Sequence, residues 1–178
     1  MKKSVNPFDY ANHICQAMKK GILLTTKSNN TVNTMTIGWG MMGIEWGEPI
    51  FIAFVRQSRH TREMLDDTME FTVNIPIGEY DSKILGYCGT KSGRDTNKIQ
   101  DMGLHLEPSN QISAPGIREF PLTLECKVLY RQDQILDQIP APILERYYPQ
   151  NVDGSAPGKN RDHHIAYYAK IVDAYLID

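Results

Sequence analysis

The sequence has few cysteines and no long apolar run, and both shortages exclude classes of protein. Its three cysteines, Cys15, Cys88 and Cys126, stand far apart among 178 residues, so they suggest neither a disulfide framework nor a zinc cluster. We expect all three on buried faces. No stretch approaches the roughly 20 apolar residues that cross a bilayer, and Lys2 and Lys3 are not followed by the apolar segment of an export signal. We therefore expect a cytoplasmic protein without a membrane role.

An excess of charge of one sign is also missing, because 19 lysines and arginines nearly balance 21 aspartates and glutamates. The net charge of −2 provides no basic field that would attract nucleic acid, so no nucleic-acid partner is expected. The sequence also lacks the glycine fingerprint of a Rossmann fold and a regular alternation of strands and helices. A doubly wound parallel sheet is therefore disfavoured. The length suits a single domain over residues 1–178.

The sequence does contain a series of short strand patterns. The segments with strand character are 22–26, 31–39, 49–55, 70–75, 120–130 and 163–177. The third is apolar throughout and predicts burial on both faces, whereas the fifth alternates, with Thr123 and Glu125 predicted to point outward. These patterns predict a mainly β fold, a small antiparallel barrel with added helices.

Helical patterns are fewer and shorter. Asn6 and Pro7 form an N-cap and first-turn pair for a helix that Gly21 ends. Residues 79–103 predict inserted helices, the second of them beginning near Asp95. Residues 151–160 are rich in glycine, proline and serine and predict a surface loop.

Positive charge accumulates where one helix is predicted to begin. With Ser58 as its N-cap, the first turn contains Arg59 and Arg62, although a helix dipole favours acidic groups there. A bound anion would reverse that penalty, held by backbone N–H groups, the Ser58 and Thr61 hydroxyls and the Arg56 guanidinium. The alternative, in which the arginines lie in solvent or pair with nearby acids, stays open at this point.

A second cationic loop, TKSGRDTNK at residues 90–98, precedes the helix predicted near Asp95. Its hydroxyls, its glycine and its three cations could complete the same anion site from another part of the chain. It is not a P-loop, because the required Gly-Lys-Ser or Gly-Lys-Thr ending is missing. A solvated loop with Asp95 as an ordinary N-cap is the alternative.

Taken in order, these segments resemble the flavin reductase-like family, and its flavoredoxin-type members in particular. The resemblance is carried by NTMTIGW at 33–39, by Arg56, Ser58 and Thr61, by FTVNIP at 71–76, and by SGRD at 92–95 with Lys98. It continues through 114–115 and 119–126 to the final strand and so covers nearly all of the chain. One departure is Tyr168-Ala169-Lys170, where the family usually has a Gly-Glu pair after an aromatic residue.

The resemblance implies an FMN-binding split β-barrel, antiparallel and Greek-key-like, commonly a homodimer with flavin sites near the subunit interface. It further implies an oxidoreductase that moves electrons between FMN and NADH, NADPH or a redox protein. The residues that it assigns to FMN are Asn33, Met35 and Thr36 along the ring and ribityl chain, Trp39 near the ring, Arg56, Ser58 and Thr61 at the phosphate, and Ser92, Gly93, Arg94 and Lys98 from the second loop. His60 stands where the family often has an aromatic residue, and we retain it only as a neighbour of the flavin or its phosphate.

No catalytic side chain is predicted, because hydride transfer to a flavin requires no acid or base from the protein. The alternative function is a non-catalytic module that binds FMN or another phosphorylated ligand. Asp162, His163 and His164 look like metal ligands, but adjacent strand residues point to opposite faces, so no metal site is expected. We expect His164 to face the barrel interior or the ligand. Trp46 and Met41 are expected in the core or at a dimer interface.

Overall fold

The fold is organised around one long strand, β10 (His164–Ile177), which pairs antiparallel with three other strands. A computed structural model describes residues 1–153 and 161–178 of the chain. The partners of β10 are β1 (Lys2–Ser4), β5 (Glu48–Arg56) and β9 (Leu122–Asp133). Because β5 and β9 lie on opposite edges of β10, this strand joins the two halves of the sheet.

The remaining strands extend the sheet on both sides of β10. They are β2 (Ile22–Ser28), β3 (Thr31–Ile37), β4 (Gly40–Glu45) and β6 (Glu70–Ile75). The hydrogen-bonded order is β3-β2-β6-β9-β10-β5-β4, antiparallel throughout, and a separate short ladder joins β7 (Leu106–Glu107) to β8 (Gly116–Ile117). Side chains from β3 and β5, which are not neighbours in this order, pack in one buried cluster. The sheet therefore curves around its core, which confirms the predicted antiparallel architecture.

The described residues also form five short helices. They are α1 (Ala11–Met18), α2 (His60–Thr68), α3 (Ser82–Thr90), α4 (Lys98–Asp101) and α5 (Ala141–Tyr147), with single 3-10 turns at Pro7–Tyr10 and Leu136–Gln138. The Asn6 side chain caps the first of these turns as predicted, by accepting a hydrogen bond from the Phe8 N–H. Within the described ranges, no helix is long and apolar enough to cross a bilayer.

Two hairpins build the part of the sheet nearest the candidate site. Asn29 and Asn30 connect β2 to β3 with φ values of 47° and 66°, the left-handed pair that a two-residue hairpin turn requires. Trp46 and Gly47 make the same kind of connection between β4 and β5, with φ values of 53° and 74°. Strand β4 was not predicted from the sequence, because its two glycines weaken the alternation and a tryptophan occupies a turn position that usually favours asparagine.

Several packing predictions were wrong. Thr123 and Glu125 are fully buried, because the chain between β7 and β9 covers the outer face of β9, and Glu125 accepts backbone N–H groups of Asn110 and Gln111 at 2.7 Å each. Cys15 is exposed, since α1 buries only one narrow stripe of its surface. The strand predicted to be buried on both faces, β5, is interior to the sheet but leaves alternate side chains partly accessible.

Predicted boundaries in the inserted helices also shift. The helix placed near Asp95 begins at Lys98, where the Asn97 side chain accepts the Gln100 N–H and so holds the N-cap position. Gly103 ends that segment with a φ of 60°, as predicted. Most of the surface loop predicted at 151–160 lies outside the described residues.

Candidate functional site

Two small adjoining cavities share Met35 and Arg59 in their walls. The first, which we call the polar cavity, has a volume of about 110 Å³ and lies where β3, the start of α2 and the α3–α4 loop meet. The second, the aromatic cavity, has a volume of about 170 Å³ and lies among the end of β3, β5 and the start of β10. All twelve ligand residues proposed from the sequence line one cavity or the other.

The polar cavity brings the two cationic segments of the sequence together. It is lined by Asn33, Met35, Ser58, Arg59, His60, Thr61, Cys88, Gly89, Lys91, Ser92, Gly93, Arg94 and Lys98. Asn33 is buried and donates from its side-chain amide to the Thr61 hydroxyl at 2.8 Å, which fixes the start of α2 against β3. A Cβ atom on Gly93 would lie 2.3 Å from the Asn33 Oδ1 atom, so only glycine allows the loop backbone to approach this closely.

Lys98 places a buried positive charge in the wall of the polar cavity. Its side chain is 5 % exposed, and its ammonium group donates to the carbonyl oxygens of Thr34 at 2.9 Å and Cys88 at 3.1 Å. It forms no ion pair with any described residue. Burial lowers the pKa of the Lys98 ammonium from its usual 10.5 to about 8. The third ammonium proton remains available for a ligand.

Arg59 adds a second cation without a carboxylate partner among the residues described. It holds the N-cap position of α2 and makes no side-chain hydrogen bond there, so the predicted N-cap role of Ser58 was wrong. Burial is the main cause that lowers the pKa values of Arg56, Lys98 and His164, and the charge of Arg59 adds a smaller contribution in each case, which places Arg59 electrostatically at the junction of both cavities. The sequence analysis counted Arg59 as part of the cationic run but did not select it as a ligand residue.

Acidic groups of α2 are already engaged by other side chains. Glu63 accepts from Arg94 at 2.8 Å and contacts the His60 ring at 3.0 Å, and hydrogen bonds from these two side chains lower the pKa of the Glu63 carboxyl. On the far side of the helix, Asp66 bridges Arg62 at 3.2 Å and Arg131 at 2.9 Å. The net positive charge at the start of α2 therefore belongs to Arg59 and to the neighbouring loop.

Arg56 and Ser58 are both engaged by Asp162, just before β10. The Arg56 guanidinium donates to the carbonyl oxygens of Asp162 at 2.6 Å and Tyr147 at 2.9 Å, and the Ser58 N–H donates to the Asp162 carboxylate at 2.8 Å. The Asp162 carboxylate thus accepts a hydrogen bond from a backbone N–H group that was predicted from the sequence to bind an external anion. Burial alone would raise the pKa of Asp162, but hydrogen bonds from Ser58 and the charge of Arg56 act together in the other direction, so the pKa lies below its usual value.

The aromatic cavity is built around His164 and Trp39. Their rings pack with centroids 4.6 Å apart, and Tyr148 contacts His164 through its hydroxyl and the Nδ1 atom at 2.8 Å. The Tyr148 hydroxyl donates its proton to the side-chain amide oxygen Oε1 of Gln134 at 2.8 Å, so it can only accept from His164. His164 therefore donates from Nδ1 and keeps Nε2 as an acceptor. Burial, followed by the charge of Arg56, lowers the pKa of His164 to about 3, so the ring is neutral at physiological pH.

The side chains of Asp162, His163 and His164 bond to different partners. Asp162 is engaged by Arg56 and Ser58, His163 contacts Asp133 at 2.9 Å, and His164 bonds to Tyr148. Across residues 1–153 and 161–178, no group of three or more potential ligands converges.

The strongly curved antiparallel sheet, which carries a cationic cavity beside an aromatic one, has the architecture of a β-barrel protein. The chain belongs to the flavin reductase like domain family, which matches residues 17–177. It is also 30 % identical over 97 residues to an uncharacterized protein of Archaeoglobus fulgidus, a match that covers 54 % of each chain. The chain therefore spans about half the length of this relative.

Solved structures share the fold of this chain. The flavoredoxin from Methanosarcina acetivorans superposes with a TM-score of 0.63 at 22 % identity, over 89 % of this chain and 68 % of that chain. An FMN-binding domain of a flavin reductases-like enzyme from Shewanella baltica OS155 gives a TM-score of 0.63 at 16 % identity, over 99 % of this chain and 77 % of that chain. The split-barrel fold expected from the sequence is confirmed.

The buried charge of Lys98 predicts a specific pH dependence of stability. The folded state holds the Lys98 ammonium proton less tightly than the unfolded state does. The buried charge therefore destabilises the folded protein fully below about pH 8, and this destabilisation disappears as the pH rises towards 10.5. The free energy of unfolding of Lys98→Met minus that of the wild type should therefore fall by about 3 kcal/mol across this range. Urea denaturation at a series of pH values measures the difference.

Lys91→Met is the matched control, because Lys91 lies in the same loop but is exposed. The free energy of unfolding of Lys91→Met minus that of the wild type should stay constant over the same pH range. A constant difference for Lys98→Met as well would show that the Lys98 pKa is not depressed.

Proposed function

We propose that this chain is an FMN-binding oxidoreductase or electron carrier, folded as one domain, that moves electrons between flavin and NADH, NADPH or a redox protein. The observation that carries the proposal is the pair of cations, Arg59 and Lys98, that line the polar cavity without a carboxylate partner among described residues. Two unneutralised charges beside a buried wall are costly unless an anion binds between them. Membership of the flavin reductase-like family supports FMN as the source of that anion.

The residues present fit the phosphate group of FMN. Arg59 and Lys98 supply charge, while the Thr61 and Ser92 hydroxyls and the uncapped start of α2 supply hydrogen-bond donors. Gly93 brings the loop backbone against Asn33 without a side chain in the way. Because the Arg56 fork is bonded to two carbonyl groups, we assign the phosphate to Arg59 and keep Arg56 as a wall of the aromatic cavity.

The aromatic cavity fits a planar ring. Met35 and Thr36 line this cavity together with Arg56 and with the packed rings of Trp39 and His164, so apolar, cationic and neutral acceptor groups share its wall. FMN, when bound, supplies the redox chemistry by accepting a hydride or single electrons. The protein's share is binding, orientation and exclusion of water, and a neutral His164 can accept a hydrogen bond without adding charge. No catalytic side chain is assigned.

Reduction by a nicotinamide nucleotide separates this function from its alternative, a module that binds FMN without turnover. We expect protein incubated with FMN and desalted to retain the visible flavin absorbance, and anaerobic NADH or NADPH to bleach it. Protein that emerges colourless would contradict FMN binding itself. Flavin that stays bound but is bleached by neither nucleotide would favour the binding module or a protein electron donor.

The assignment of the phosphate to Arg59 gives a sharper test. Arg59→Ala should weaken FMN by about tenfold or more, the usual scale for a charge-assisted hydrogen bond, and leave riboflavin nearly unchanged because riboflavin has no phosphate. Quenching of flavin fluorescence measures both affinities. Arg62→Ala is the matched control, since Arg62 belongs to the same helix turn but bonds to Gln57 and Asp66 outside both cavities. Equal losses for both flavins in Arg59→Ala would contradict the assignment.

We also propose a homodimer formed through the β4–β5 hairpin. β4 lies at one end of the strand order, and Met41, Ile44 and Trp46 are 57, 73 and 58 % exposed. An edge strand with this much apolar surface favours pairing with a second copy. Sedimentation velocity should show a dimer for the wild type and a monomer for Ile44→Lys, while a monomeric wild type would contradict the proposal.

A further inference from the structure

A further pocket, which we call the amide pocket, has a volume of about 510 Å³ and lies between Trp39 and the segment that links β9 to α5 and continues through that helix. Trp39 also borders the aromatic cavity, so its indole ring contributes to the walls of both spaces. Tyr147 and Tyr148 line the amide pocket and pack edge-on against Trp39, with ring centroids 5.2 and 6.4 Å away. The volume lies within the roughly 300–1,000 Å³ usual for small-molecule sites.

The walls of the amide pocket are uncharged, as far as the described residues form them. Ile139, Pro140 and Ile143 contribute aliphatic surface, and Ile143 is 46 % exposed. The Arg146 guanidinium lies 5.0 Å from the centre of the Tyr147 ring but does not line the pocket. A charged ligand would therefore lose its hydration in the pocket without gaining an ion pair, whereas a neutral ligand loses little.

A chain of hydrogen bonds fixes the orientation of the Gln134 side-chain amide. His164 donates from Nδ1 to the Tyr148 hydroxyl at 2.8 Å, and this hydroxyl donates to the Gln134 Oε1 atom at 2.8 Å. The Gln134 Nε2 atom forms no hydrogen bond with any residue in 1–153 or 161–178. Because Gln134 lines the amide pocket, its N–H groups are available there to an acceptor atom of a ligand.

We propose that the amide pocket binds a neutral, planar aromatic compound whose carbonyl oxygen accepts a hydrogen bond from the Gln134 amide. A carbonyl oxygen fits better than a hydroxyl donor, since the Gln134 oxygen is already bonded to Tyr148. Trp39 and Tyr147 supply aromatic contacts to the ring of the ligand. The site goes beyond the proposed flavin function, because it requires neither a bound flavin nor the cations of the polar cavity.

Isothermal titration calorimetry of the full chain with coumarin, a neutral planar bicycle with one carbonyl group, tests the proposal. Naphthalene keeps two fused rings but has no acceptor atom, so it should bind about fivefold more weakly than coumarin. The carboxylate derivative of coumarin keeps the rings and the carbonyl group but adds a negative charge, so it should bind at least about tenfold more weakly. FMN in excess should leave the coumarin affinity unchanged within about twofold.

Gln134→Glu removes the donor and keeps an oxygen that can accept from Tyr148, so the positions of Tyr148 and His164 are preserved. This variant should weaken coumarin by about tenfold and naphthalene by less, because only coumarin loses a hydrogen bond and meets a repelling oxygen. Gln132→Glu is the matched control, since Gln132 is exposed on β9 and lies outside the amide pocket. It should change neither affinity.

Ile143→Trp should fill the amide pocket and weaken both neutral compounds by about tenfold, and far-UV circular dichroism checks that this exposed position tolerates the change. The proposal is overturned if coumarin does not bind, if naphthalene or the carboxylate binds as tightly, or if FMN displaces coumarin. Sedimentation velocity adds one more outcome: an oligomer that dissociates in Ile143→Trp would show that a second copy covers the pocket, which also overturns the proposal. Failure of FMN to bind would contradict the proposed function and leave the coumarin result to decide this one.

Discussion

The register between β5 and β10 is the constraint on which the candidate site depends. His164, the first residue of β10, lies directly opposite Arg56, the last residue of β5. This pairing brings Asp162 to the chain that leaves β5, where its carboxylate receives the Ser58 N–H and its carbonyl oxygen receives Arg56. The start of α2 follows within a few residues. A shift of register would therefore move both the aromatic cavity and the cationic end of the helix.

The barrel architecture could be predicted from sequence because it depends on local patterns. Alternation along β9, the asparagine pair after β2 and the proline after β6 are short-range signals with known structural causes. The cationic runs near Thr61 and Gly93 were predicted to share a site, and the polar cavity contains both. Their role in binding FMN stays a prediction.

The details that sequence reasoning missed are set by contacts between distant segments. The Asp162 carboxylate accepts the Ser58 N–H from more than a hundred positions away along the chain. No local pattern could therefore show that Arg59, and not Ser58, would take the N-cap position. The burial of Glu125 depends on a segment that folds back over β9, and alternation cannot reveal such a cover. For Arg59, one signal was present: it is the arginine that immediately precedes the helix start.

The bridging position of Asp66 has a consequence for how ligands reach the site. Asp66 pairs with Arg62 and Arg131 behind α2, and Glu63 pairs with Arg94. The acidic side chains of the helix therefore do not neutralise the positive charges of Arg59 and Lys98 at the polar cavity. The chain as a whole is slightly acidic, yet it presents a local positive field at one opening. Such a field raises the rate of encounter with anionic nucleotides, and it is screened over about 10 Å at 0.1 M salt. The proposed binding of a flavin phosphate should therefore become slower as the ionic strength rises, even where the final contacts are short.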